Sequence, residues 1–158
     1  MIKNTKNILI ILISVLLLSC GFKPVKQKSI NQIYLQSLNI VGEQRIAFLL
    51  KNNILLISDK NSKNAYEGVI KLTKQKNSKI KDSTGSTSRY SITLSANLEL
   101  TNLKNKNRIQ KSFVRNTDYN VANIHSDTIN NENNATKNIT QQLSDDITNY
   151  IILTMRNR

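Results

Sequence analysis

Between residues 90 and 100 the chain alternates without a break. Tyr90, Ile92, Leu94, Ala96, Leu98 and Leu100 fall on every second position, and Ser91, Thr93, Ser95, Asn97 and Glu99 fill the positions between. Successive side chains of a strand point to opposite faces, so a period of two over six apolar positions is a long strand with one buried face and one wet face. Such a strand needs hydrogen-bonding neighbours and a second layer over its apolar side. With no Trp and 5% aromatics, that layer must be built from Ile and Leu.

The flanking sequence supplies both. Residues 33–40 are rich in β-formers and read as a first strand, punctuated by Gly42. From Glu43 onward Ile46, Leu49, Leu50, Ile54 and Ile57 recur at three- and four-residue spacing, one face of an amphipathic helix. Residues 66–73 alternate as a second strand, and the basic residues 74–83 continue it or form a hairpin. A turn over residues 102–107 leads to a fourth strand, residues 108–119, in which Ile109, Phe113 and Tyr119 share a parity with Lys111 and Arg115. From about Ser126 the period changes: Ile139, Leu143, Ile147, Tyr150 and Ile151 form a helical stripe. Residues 130–134 are weak helix-forming sequence ahead of it. The order β-α-β-β-β-α predicts an α+β fold, a mostly antiparallel four-stranded sheet with two helices packed on one face.

The N-terminus sets the expected compartment. Lys3 and Lys6 precede an apolar run over residues 8–18, too short for the roughly 20 residues a bilayer-spanning helix needs but suited to a secretory leader. Leu17-Leu18-Ser19-Cys20 has the form of a bacterial lipobox, and Cys20 is the only Cys in the chain. Residues 1–19 are therefore expected to be a lipoprotein signal peptide, residues 20–32 a lipidated tether with Pro24 discouraging helix, and residues 33–158 a single domain. Gly21, where an Asp would suggest inner-membrane retention, favours outer-membrane sorting with the domain facing the periplasm. Export also argues against nucleic acid as a partner.

The chain carries 23 Lys and Arg against 10 Asp and Glu, a net charge of +13, which calls for an anionic partner. Asn, Lys and Ile are all frequent, a coding bias that by itself raises the Lys count. Residues 51–115 nevertheless hold fourteen basic residues against four acids. Two clusters stand out. Lys104, Lys106, Arg108 and Lys111 surround the turn between strands three and four, where a phosphate can be met by charge-assisted hydrogen bonds. Lys74, Lys76, Lys79 and Lys81 follow strand two and form a secondary cluster. In an antiparallel meander the two turns lie at opposite ends of the sheet.

Little in the chain suggests catalysis. One Cys and one His exclude an internal disulfide framework, a Cys-based zinc cluster and a second catalytic His, so no metal or cofactor is expected. His125 stands in a polar segment, Asp145 and Asp146 diverge on a helix, and Ser86 lacks the flanking glycines of a nucleophile elbow.

The opening Leu18-Ser19-Cys20-Gly21-Phe22-Lys23-Pro24-Val25, the block over residues 90–101 with its basic turn, and Asp118-Tyr119-Asn120-Val121 before a C-terminal helix together resemble the LPS-assembly lipoprotein family, LptE. The resemblance implies a sheet covered by two helices, seated as a plug in the lumen of the outer-membrane β-barrel LptD. It also implies help in assembling that barrel and contact with lipopolysaccharide. An auxiliary lipoprotein of an ABC-type lipid transport system, or a structural envelope lipoprotein, are the competing readings; the co-purifying partner separates them.

Overall fold

The computed structural model describes residues 33–156. The leader, Cys20 and the tether lie outside the described residues. Six elements follow in the expected order: β1 (Tyr34–Val41), α1 (Gln44–Leu55), β2 (Ala65–Lys81), β3 (Thr87–Asn102), β4 (Arg108–Asn120) and α2 (His125–Arg156). The strands lie in the order β1-β2-β3-β4. β1 pairs parallel to β2, because a helix joins them and returns the chain to its starting end. The other two pairings are antiparallel.

The alternation of β3 becomes the centre of the core. Ile92, Leu94, Ala96 and Leu100 are fully buried and Leu98 nearly so. Ile46, Leu50 and Ile54 of α1 and Ile139, Leu143, Ile147 and Ile151 of α2 cover them. Burying each such aliphatic side chain contributes about 1.5–3 kcal/mol. Hydrogen bonds from Arg45 to Asn133 (3.4 Å) and from Asn53 to Gln141 (2.9 Å) step by eight residues on both helices, so α1 and α2 run parallel, side by side on one face. The other face of the sheet has no second layer among the described residues and mixes Ser, Thr, Asn and Gln with charged residues such as Lys71, Glu99, Arg108 and Asp118.

The structure decides one boundary that the sequence left open and shifts two others. β2 extends to Lys81, because β3 pairs with it as far as the Lys81–Thr87 pair, with register shifts at Ser78/Ile80 and Ile80/Lys81. α1 ends at Leu55, so Ile57 packs against the core from the following turn. α2 begins at His125 and takes in residues 130–134. Docking of its apolar stripe and one strong polar contact outweigh the poor local propensity there.

That polar contact centres on Glu132. Lys74 and Lys76 share the parity of Tyr66, Ile70 and Leu72, and so point toward the helices. Lys76 Nζ lies 2.7 Å from Glu132 Oε2, Tyr119 donates its hydroxyl to the same oxygen at 2.8 Å, and Lys74 Nζ lies 3.6 Å from Oε1. Lys76 also sits over the Tyr90 ring, 4.4 Å from its centroid, and that ring stacks on Tyr119. Burial pushes the Glu132 carboxyl up, but the bonds from Lys76 and Tyr119 outweigh it and hold the group below its usual range. The Glu132 bond, with the nearby Tyr119, pushes the Lys76 ammonium up. At the other end of the helix Asp146 takes two hydrogen bonds from Arg115, which hold its carboxyl down.

Two predictions follow from this packing. A Cβ on Gly42, whose φ is 150°, would lie 2.6 Å from the Leu72 carbonyl oxygen, whereas one on Gly85 (φ 84°) meets nothing. Gly42→Ala should cost about 2–3 kcal/mol and Gly85→Ala about 1 kcal/mol in urea unfolding. A carboxyl with a lowered native pKa stabilises above its unfolded value and loses that contribution as pH falls. For Glu132 the contribution is full above about pH 4.5 and disappears as pH drops through the lowered native value. Glu132→Gln should therefore lower stability at neutral pH by about 1–2 kcal/mol and flatten the acid limb of the stability profile. An acid limb identical to the wild type would exclude this role.

Candidate functional site

The β3–β4 turn is built by asparagines. Asn102, nearly buried, accepts the backbone N–H groups of Lys104 (2.8 Å) and Asn105 (3.1 Å) on its side-chain oxygen. Asn105 does the same for Asn107 at 3.0 Å. The backbone closes from Lys106 N to Asn102 O and from Asn102 N to Asn107 O, each 2.9 Å. Lys106 takes up a left-handed conformation, φ 59°, that an Asn or Gly would adopt at less cost. Lys104 and Lys106 are exposed at the tip and make no ion pair among the described residues.

Arg108 and Lys111 leave the turn on opposite faces. Arg108 lies on the open face, its guanidinium 3.5 Å from Glu99. Lys111 shares the parity of Ile109 and Phe113 and lies on the helical face, 6.0 Å from the Tyr150 ring centroid. The structure thus keeps the four residues at one end of the sheet without converging them on a single point.

The α1–β2 loop reaches the same end. Leu103 N donates to Ala65 O at 3.0 Å, and Tyr34 N to Asn64 O at 2.9 Å. Exposed Lys60 and Lys63 therefore share an end with Lys104 and Lys106, an enlargement the sequence reading missed. The signal available was the crossover itself: a parallel β1–β2 pair places the loop entering β2 beside the turn leaving β3.

The secondary cluster divides. Lys74 and Lys76 are committed to Glu132 on the helical face. Lys79 bonds Asp118 on the open face and holds that carboxyl below its usual range. Lys81 is exposed beside the β2–β3 turn, where hydrogen bonds from Thr84 and Ser86 hold the Asp82 carboxyl down. The period of two already placed Lys74 and Lys76 in phase with Leu72; an acid on the facing helix was the missing partner.

Comparison with known proteins agrees with this architecture. The model of the LptE family, described as lipopolysaccharide-assembly, matches residues 29–151. No curated protein sequence matches the chain. Among solved structures, rare lipoprotein B from Shewanella oneidensis superposes with a TM-score of 0.58 at 13% identity, covering 77% of this chain and 97% of that one. A protein classed as a lipoprotein from Caulobacter crescentus CB15 superposes with a TM-score of 0.55 at 14% identity, covering 77% and 92%. At such identities the superpositions speak for the fold, a four-stranded sheet under two helices, and the family match speaks for descent. The chain belongs to the LptE family of lipopolysaccharide-assembly proteins.

Proposed function

We propose that this protein is an outer-membrane lipoprotein, anchored through Cys20 and facing the periplasm, that serves as plug and assembly partner of an LptD-type barrel. In this role Lys104, Lys106, Arg108 and Lys111 hold lipopolysaccharide phosphates while the barrel wall guides the acyl chains. The observation that carries the reading is the β3–β4 turn: two lysines project past the sheet, one of them in a backbone conformation that costs stability. Lys60 and Lys63 add to the positive potential of that end, and Arg108 presents the planar fork suited to phosphate. Lys111 contributes from the β4 edge. In the secondary cluster, Lys81 remains available to an anion.

The open sheet face supports the plug role. Gln75, Ser95, Asn97, Ser112 and Asn116 give it hydrogen-bonding capacity, its charges include the pairs Arg108–Glu99 and Lys79–Asp118, and a barrel interior is polar. Holding and releasing a glycolipid requires no covalent step, and the role calls on no cofactor.

Binding, localisation and pull-down experiments test this reading. Replacing Lys104, Lys106, Arg108 and Lys111 by Ala should weaken lipopolysaccharide binding about tenfold or more and flatten its salt dependence, with circular dichroism unchanged. Lys106→Asn alone, which suits the left-handed turn, should weaken binding while the domain becomes no less stable. Unchanged binding at low and moderate salt would remove the turn from the mechanism. Separately, Cys20→Ser should block both lipoprotein processing of the leader and outer-membrane retention, and pull-down of the wild type from detergent-solubilised membranes should recover a large outer-membrane barrel. Recovery of an inner-membrane transporter instead would favour the ABC-system reading.

A further inference from the structure

The sheet ends in two free edges, β1 and β4, and they are not alike. A free edge offers unpaired N–H and C=O groups to any extended chain, and proteins blunt it with charge, proline, a bulge or a covering element. β4 carries Arg108, Lys111, Arg115 and Asp118, and α2 is fastened over it through Arg115 and Tyr119. β1 has no charged residue and no proline.

The blunting of β1 is confined to the end nearest the β3–β4 turn. There a register shift falls between Leu35 and Ser37, and the Leu35 N–H donates to Ser58 Oγ at 2.9 Å. From Ser37 to Val41 no strand lies on the outer side among the described residues. A groove of about 530 Å³ runs along this edge. One wall is six consecutive residues of β1, Tyr34 to Asn39. The other is Lys51 and Leu55, one turn apart on one side of α1, with Ser58 and Lys60 at the end. A groove walled by a strand edge and a helix suits an added strand, held by main-chain hydrogen bonds and selected through its alternate side chains.

Charge selects the occupant. Lys51 and Lys60 are exposed and make no ion pair among the described residues. No acid lines the groove. The acids closest in sequence or register are engaged: Asp59 accepts the N–H of Asn61, Glu67 accepts the Ser37 hydroxyl, and Glu43, past the far end of β1, faces Lys74 at 3.6 Å. A second copy of a chain with net charge +13 would bring more positive charge to this edge. The chain's own residues 20–32 would do the same, since they hold Lys23, Lys26 and Lys28 without an acid.

We propose that the β1 edge docks an extended acidic segment of a partner protein, which adds a fifth strand to the sheet beside Ser37–Val41. Its backbone pairs with β1, and its side chains on the helical side meet Lys51, Leu55 and Lys60. Docking here requires neither lipopolysaccharide nor the β3–β4 turn. Lys60 bounds the groove as well as the basic end, whereas Lys51 belongs to the groove alone.

The test uses the full-length protein in nanodiscs of neutral phosphatidylcholine and a short synthetic peptide alternating Glu with Thr, against the same peptide with Lys for Glu. The Glu peptide should bind about tenfold more tightly at low salt and slow amide hydrogen exchange within residues 37–41. Two N-methylated versions, one blocking odd and one even amides, should differ in affinity, because a docked strand turns only alternate N–H groups toward its neighbour. Lys51→Glu, an exposed change, should narrow the preference for Glu over Lys to about twofold with circular dichroism unchanged. Equal affinity for the two peptides, equal binding by the methylated versions, a preference indifferent to Lys51→Glu, or protection only outside residues 37–41 would overturn the proposal. So would protection of residues 37–41 without peptide: growth with protein concentration would assign the edge to a second copy, and loss on deleting residues 21–28 would assign it to the N-terminal segment.

Discussion

The structure depends on one asymmetry: a single sheet with two helices on one face and none among the described residues on the other. β3 imposes it, because its apolar positions are all of one parity and need cover, while its polar positions need none. Every neighbouring strand inherits the same division through its register with β3. Charged residues in phase with the core stand beside the helices, where the acids of α2 pair with the half-exposed cations it reaches, whereas Lys111, exposed nearer the turn, makes no ion pair among the described residues. Lys74, Lys76 and Arg115 are in phase, and they meet Glu132 and Asp146.

This division sorts the basic residues by role. Lysines in phase with the core fasten α2 to the sheet through Glu132, and Lys79 is fastened on the open face by Asp118. Cations beyond the ends of strands or on the outer flanks of helices are not paired in this way. Lys104 and Lys106, with Lys60 and Lys63, stand at one end, and Arg45 and Lys137 on the helices beside the middle of the sheet. Net charge alone therefore overstates what is available to an anionic partner. The useful charge is the part that geometry leaves uncompensated, most of it at the β3–β4 end of the sheet.

Much of the fold was legible because it rests on period and order. The alternation over residues 90–100, the three-and-four spacing in α1 and α2, and the helical link between the first two strands lead directly to the observed sheet. The start of α2 was not legible, since residues 130–134 are poor helix formers whose order comes from Glu132 and the stripe further along. Of the candidate site, the β3–β4 turn was visible through its asparagines and lysines. The split of the secondary cluster was half visible, because parity shows which face Lys76 takes but not what waits there.

The sequence by itself determined the period of most segments, and with it the element order, the buried face of β3 and of the two helices, and the excess of positive charge. Only the tertiary structure decided which of those charges are neutralised, which two loops share an end, and where the two helices leave a gap. The physical reason is that periodicity relates a side chain to its own backbone, whereas electrostatic and packing energies depend on distance through space. That distance is set by strand register, the crossover and helix docking between residues as far apart in the chain as Lys76 and Glu132, or Arg45 and Asn133.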